Sequence, residues 1–115
     1  MTNAKTTIKY DDFSKLDIRV GLVTNCENVP KSDKLLKLEI DFGELGTRQI
    51  LTGMAAWYKP EDFINKQFVF LINLEPRKMM GFESQGMLLS IGIDHEQKPI
   101  FIHPASTAEN GEGVS

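Results

Sequence analysis

Cysteine is nearly missing from this chain of 115 residues. Cys26 stands alone, which excludes an intrachain disulfide. It has no sequence-local His or Cys partner, so a redox pair and a thiolate metal site are not expected, and a reducing compartment fits. Histidine is almost as scarce. His95 and His103 fall in no zinc spacing, and Asp94 and Glu96 around His95 read as a hydrophilic turn. No apolar run approaches the roughly 20 residues of a membrane-spanning helix, and the polar start lacks a secretory core. These absences predict a cytoplasmic protein with no membrane partner. No glycine group has dinucleotide-loop or phosphate-loop spacing.

An excess of positive charge is missing too. Thirteen basic residues against 16 acidic ones give −3, which is not the composition of a generally basic nucleic-acid binder, DNA binders included. The charge is unevenly placed. Residues 1–90 hold 12 Lys or Arg and 12 Asp or Glu, and residues 91–115 hold Lys98 against Asp94, Glu96, Glu109 and Glu112. A local basic surface is therefore compatible with an acidic chain. Enzymatic groups are also wanting. Thr52 has no identifiable base, Ser84 no nucleophile-elbow context and Cys26 no activating partner. A non-enzyme without cofactor or metal is expected.

What is present suits one domain. Residues 1–9 read as a loose leader, 10–104 as the domain, and 105–115 as an acidic edge or tail. Tyr10 to Asp17 predicts one helical turn started by an aspartate cap, with Phe13 and Leu16 as an apolar pair. Ile18, Val20 and Leu22 alternate as a half-buried strand in which Gly21 permits a close crossing. Arg19 between them reads as a structural ion-pair partner. Asn28 to Asp33 predicts a loop. Leu36, Leu38 and Ile40 define a second strand, with Lys37 and Glu39 on its opposite face. After a glycine turn at 41–46, a third strand begins near Arg48 and includes Ile50, ending at Gly53.

Pro60 followed by Glu61 and Asp62 suits the first turn of a short helix anchored by Phe63 and Ile64. Trp57 is a core or rim anchor by default. Gln67 to Ile72 is apolar on both faces, as a covered strand requires. Gly86 to Ile91 and Pro99 to Ile102 predict further strands. Many short strands, one short helical segment and glycine bends predict an all-β chain, with an oligonucleotide-binding (OB) barrel as the leading architecture.

Asn73 to Met87, NLEPRKMMGFESQGM, carries the chemistry. It reads as an irregular recognition segment. Arg77 offers a fork for phosphate and Lys78 a compact charge. Asn73, Ser84 and Gln85 offer polar contacts to bases or sugars, and Met79, Met80 or Met87 an apolar one to a ring face. Lys31, Lys34 and Arg48 are candidate arms from other loops or strand ends. The competing reading is a set of solvated loops around a methionine-lined core.

The stretches DFSKLDIRVG (12–21), SDKLLKLEIDFG (32–43), RQILTG (48–53), YKPEDFINK (58–66) and NLEPRKMMGFESQGMLL (73–89) occur in order. With them the chain resembles the small tRNA-binding domains of CsaA-like proteins, free-standing tRNA-binding proteins and some methionyl-tRNA synthetase C-termini. The resemblance implies an OB barrel with peripheral elements that make a homodimer, binding tRNA by shape. It carries tRNA contact to Lys34, Asn73, Arg77, Lys78, Ser84 and Met87. It implies a synthetase as a possible partner, and, from CsaA, an alternative role as an export-related chaperone with a peptide client. The chain departs from the family at Glu75 and Met80, where basic residues are common. The expected dimer surface joins Phe13 and Leu16 to Ile91, Ile100, Ile102 and Pro104.

Overall fold

Strand β1 (Ile18–Asn28) is the spine of the molecule. The computed structural model describes residues 3–92 and 96–115. The first half of β1 pairs antiparallel with β4 (Gln67–Leu71), setting Val20 opposite Val69. The second half pairs with β2 (Leu36–Asp41), setting Cys26 opposite Leu38. One strand serves both partners because it bends. The register slips between Val23 and Asn25, leaving Thr24 as the extra residue of a bulge. Gly21 lies where β1 crosses the core. A Cβ there would run into the side chains of Ile40 and Phe42, so the crossing needs glycine.

The sequence predicts this strand only as far as Leu22 and places a loop from Asn28. The strand instead continues to Asn28. Its buried positions pass from Val20 to Val23 and Cys26, and the bulge hides the two-residue period that the reading follows.

β2 turns through a 3-10 turn at Gly43–Leu45 into β3 (Thr47–Thr52), with Leu38 opposite Ile50. A second 3-10 turn, Pro60–Asp62, precedes β4, and the Asp62 carboxylate accepts the Lys59 amide at 2.8 Å. Beyond β4 come β5 (Arg77–Met79), β6 (Phe82–Ser84), β7 (Met87–Leu88), β8 (Ser90–Ile91) and β9 (Ile100–Phe101). The main sheet runs β3-β2-β1-β4-β7, with β5-β6 and β8-β9 as separate pairs. The sheet curls into a nearly closed barrel, the OB-type all-β fold expected from the sequence.

The interior is filled by Leu36, Leu38 and Ile40 of β2, Ile50 of β3, Phe68 and Phe70 of β4, and Phe42 and Phe63 from the turns, all fully buried. Burying each such side chain stabilises the fold by about 1.5–3 kcal/mol. Rings stack beside one another, with Phe63 to Phe68 at 5.4 Å and Phe68 to Phe101 at 5.0 Å. The Thr52 hydroxyl is buried among these groups with no hydrogen-bond partner among the described residues.

The C-terminal segment lies along the free edge of the first half of β1. The Val20 amide donates to Glu112 at 2.9 Å, the Gly111 amide to Val20 at 2.7 Å and the Val114 amide to Ile18 at 2.8 Å. Arg19 donates to Asp17 and to the Gly111 carbonyl, the structural ion pair its place in the strand suggests.

Three local expectations need correction. Helix α1 (Tyr10–Phe13) is capped from within rather than by a leading aspartate: Lys9 holds the cap position and Asp12 accepts its amide at 3.2 Å. The helix ends at Phe13, so Leu16 lies outside it and is largely exposed. Gly86 to Ile91 is two short strands in different sheets, because Met87–Leu88 pairs with β4 and Ser90–Ile91 with β9. The readings of Asp94 and His95, and the start of the leader at Met1 and Thr2, lie outside the described residues. Among the described residues no helix is long and apolar enough to cross a membrane.

Candidate nucleic-acid interface

The stretch read as irregular is mostly a hairpin. Arg77 faces Ser84, Lys78 faces Glu83 and Met79 faces Phe82 across β5 and β6. Met80 and Gly81 form the two-residue turn with φ of 51° and 84°, the left-handed pair that matches the twist of a tight hairpin. The sequence hid this element because a methionine occupies a position where Asn or Asp ordinarily signals the turn. The hairpin holds Arg77 and Lys78 exposed, and neither forms an ion pair among the described residues.

The hairpin is fastened to the outer edge of β3, where the barrel closes. The Leu51 amide donates to Ser84 Oγ at 3.0 Å, and that hydroxyl donates to the Gly86 carbonyl at 3.1 Å. The Gln85 amide donates to the Gln49 carbonyl at 2.8 Å, while the Gln49 amide donates to Gln85 Oε1 at 3.0 Å. Gln49 Nε2 reaches the Glu83 carbonyl at 2.9 Å. Arg48 Nη1 donates to the Ile72 carbonyl at 2.6 Å and to the Gln85 carbonyl at 3.4 Å. Side chains thus supply part of the seam that a continuous ladder would supply in a fully closed barrel.

Eight of the candidate contact residues consequently divide. Arg48, Asn73, Ser84 and Gln85 gather at or beside the seam. Ser84 is 4% exposed with its hydroxyl engaged twice, so it shapes the surface from beneath. Asn73 Oδ1 accepts the Asp17 amide at 2.9 Å and its Nδ2 donates to the Lys15 carbonyl at 2.6 Å. It ties the entry of β1 to the end of β4. Arg77, Lys78 and Met87 are exposed, as are Asn73 and Lys34. Lys34 lies apart on the β1–β2 loop, whose position is fixed by the Ala55 amide donating to the Lys34 carbonyl at 3.0 Å.

Residues outside the candidate set complete this face. Lys37 pairs with Glu27 at 3.1 Å and its Nζ sits 4.4 Å above the centre of the Phe82 ring. A notch of about 290 Å³ opens here, lined by Asn25, Lys37, Arg48, Gln49 and Gln85 among others. The alternation in β2 puts Lys37 and Glu39 on the polar face. The meeting of Lys37 with Phe82 depends on barrel closure, which no local pattern encodes.

A larger groove, about 700 Å³, runs along the C-terminal segment past Gln67 and His103. Its polar groups serve the chain itself. Gln67 exchanges hydrogen bonds with Ala108 in both directions, and His103 Nδ1 contacts the Gln67 carbonyl at 2.7 Å. A carbonyl only accepts, so Nδ1 carries the proton. Cys26 is buried in the core, and burial pushes its thiol up to about 12. It is an inert core group rather than a nucleophile.

Comparison with known proteins gives a consistent result. The family model described as a putative tRNA binding domain matches residues 18–113. A methionine–tRNA ligase of Porphyromonas gingivalis is 57% identical over 107 residues, 93% of this chain and 15% of that protein. One from Methanococcoides burtonii is 46% identical over 107 residues, again 93% of this chain and 16% of the relative. The chain therefore spans well under a fifth of the length of these relatives. Among solved structures, a MetRS-related protein from Pyrococcus horikoshii superposes with a TM-score of 0.89 at 36% identity, covering 96% of this chain and 100% of that one. The chaperone CsaA from Bacillus anthracis superposes at 0.85 with 34% identity, covering 96% and 100%.

Proposed function

The chain belongs to the tRNA-binding domain family, and on that premise we propose that it is a non-catalytic module that binds folded tRNA. The carrying observation is the rigid β5–β6 hairpin. It holds Arg77 and Lys78 exposed, without carboxylate partners among the described residues, beside a polar barrel face. Cations held this way release counterions from RNA phosphates on binding, and this drives affinity without requiring a positive net charge. In this reading Arg77, Lys78 and Lys34 meet phosphate and Met87 makes an apolar contact. Asn73, Arg48, Ser84 and Gln85 hold the surface in shape. Glu75 and Glu83 lower the local potential, so the affinity of one surface is modest.

A homodimer would offset that weakness by presenting two surfaces to one tRNA. The expected interface is supported by exposed apolar groups. Ile91 and Ile100 face each other in β8–β9 at 53% and 59% exposure, and Leu16 is 46% exposed. Phe13, Ile102 and Pro104 are half-buried beside these segments. The module acts in the cytoplasm, free-standing or as an accessory of methionine–tRNA ligase, as its relatives suggest. The similarity to CsaA supports a second reading, a chaperone with a peptide client on the same apolar strip. Titration with folded tRNA, the same tRNA unfolded and a short apolar peptide, at several salt concentrations, separates the two. Preference for folded tRNA supports the first. Peptide binding without RNA binding, or equal binding to every polyanion, overturns it.

A further inference from the structure

We propose that the notch between the polar face of β1–β3 and Gln85 takes one unpaired nucleobase, an inference that rests on the RNA-binding reading above. Two amide side chains at the notch have dictated orientations. Gln85 Oε1 accepts the Gln49 main-chain amide, so the Gln85 NH2 must lie on the other branch of its side chain. Gln49 Nε2 donates to the Glu83 carbonyl, so Gln49 must present its oxygen on its other branch. Neither assignment reverses, because a main-chain amide only donates and a carbonyl only accepts. Among the described residues one donor and one acceptor are thus left by two neighbouring groups that both line the notch. The Watson–Crick edge of every nucleobase carries a donor beside an acceptor, whereas a phosphate carries acceptors alone.

The rest of the lining is of mixed charge, with the carboxylates of Glu27 and Glu39 beside Lys37 and Arg48, which suits an uncharged base better than a phosphate. The notch volume of about 290 Å³ is that of roughly ten waters, room for one planar heterocycle and not for a duplex. Arg48 contacts carbonyls and forms no ion pair among the described residues, so its charge remains available to an adjoining phosphate. Lys37 is held between Glu27 and the Phe82 ring, which fixes one wall. Glu39 is steadied by the Thr24 hydroxyl at 3.2 Å. The hairpin bearing Arg77 and Lys78 is fastened to this same edge through Glu83 and Ser84. A strand whose phosphates follow the hairpin therefore brings its bases to the notch.

The test uses the unmutated chain with RNA trinucleotides of each base, an abasic trinucleotide of equal charge, folded tRNA and a capped apolar peptide. Affinity is measured together with the side-chain amide signals of Gln49 and Gln85 by NMR. At least one base-bearing trinucleotide should bind about tenfold more tightly than the abasic one, with the same salt slope. The Gln85 and Gln49 signals should move with that ligand and with folded tRNA, and stay still with the abasic one. If tRNA binds while these signals stay still, or the abasic ligand binds as well as every other, the notch assignment is wrong and the RNA-binding function stands. If tRNA does not bind, both fail. If the peptide moves the signals and RNA does not, the notch is a peptide site and the proposal is overturned.

Discussion

Ser84 Oγ accepts the main-chain amide of Leu51 at 3.0 Å in the closed seam of the barrel. A serine read from sequence as a ligand contact is thus a substitute for a strand partner. Ser84→Ala leaves the Leu51 amide buried and unpaired, at a cost of about 1–3 kcal/mol. Urea unfolding should show that loss. The folded fraction should keep most of its affinity for tRNA, since the hydroxyl is not at the surface.

Thr52 supplies the opposite case. Its hydroxyl is buried with no partner among the described residues, so Thr52→Val removes an unsatisfied polar group from an apolar setting. The variant should be more stable by about 1 kcal/mol. A lower urea midpoint would show that the hydroxyl has a partner in solution.

The strands of the core were legible in the sequence because their chemistry is local. Leu36, Leu38 and Ile40 alternate, and all three are buried. The Gln67–Ile72 run is apolar on both faces, and its strand is covered on both. The close crossing at Gly21 was legible for the same reason. The second half of β1 was not, because Thr24 breaks the period. The β5–β6 hairpin was hidden by Met80 at a left-handed turn position. At the candidate site, residue type separated polar from apolar but could not separate Ser84, turned inward, from Lys78, turned outward. That distinction arises only when β3 meets the β6–β7 segment. Lys37, Phe82 and Gln49 were missed because they come together from three strands.

Cys26 gives a pH prediction. Burial raises its thiol in the folded state from 9.0 to about 12. The folded chain therefore keeps its proton where the unfolded chain has lost it. The associated stability is fully present below pH 9 and is lost as pH rises toward 12. Cys26→Ala should flatten that part of the stability-versus-pH profile. Native protein at pH 8 should react with a thiol reagent only as fast as it opens.

The β8–β9 pair carries the dimer prediction. Ile91 and Ile100 oppose each other and are both more than half exposed. Replacing both by glutamate should leave the barrel folded and shift sedimentation velocity from dimer to monomer. An unmutated chain that is monomeric at working concentration contradicts the dimer.

Arg77 and Lys78 stand exposed together on a hairpin fastened to the seam. The direct measurement is the salt dependence of folded-tRNA affinity for the unmutated chain and for Arg77→Ala with Lys78→Ala, with circular dichroism confirming the fold. Loss of two phosphate contacts should weaken binding and lower the slope of log K against log salt by about 1.4–1.8. An unchanged slope and affinity in a folded double variant would contradict the hairpin as the RNA-binding element.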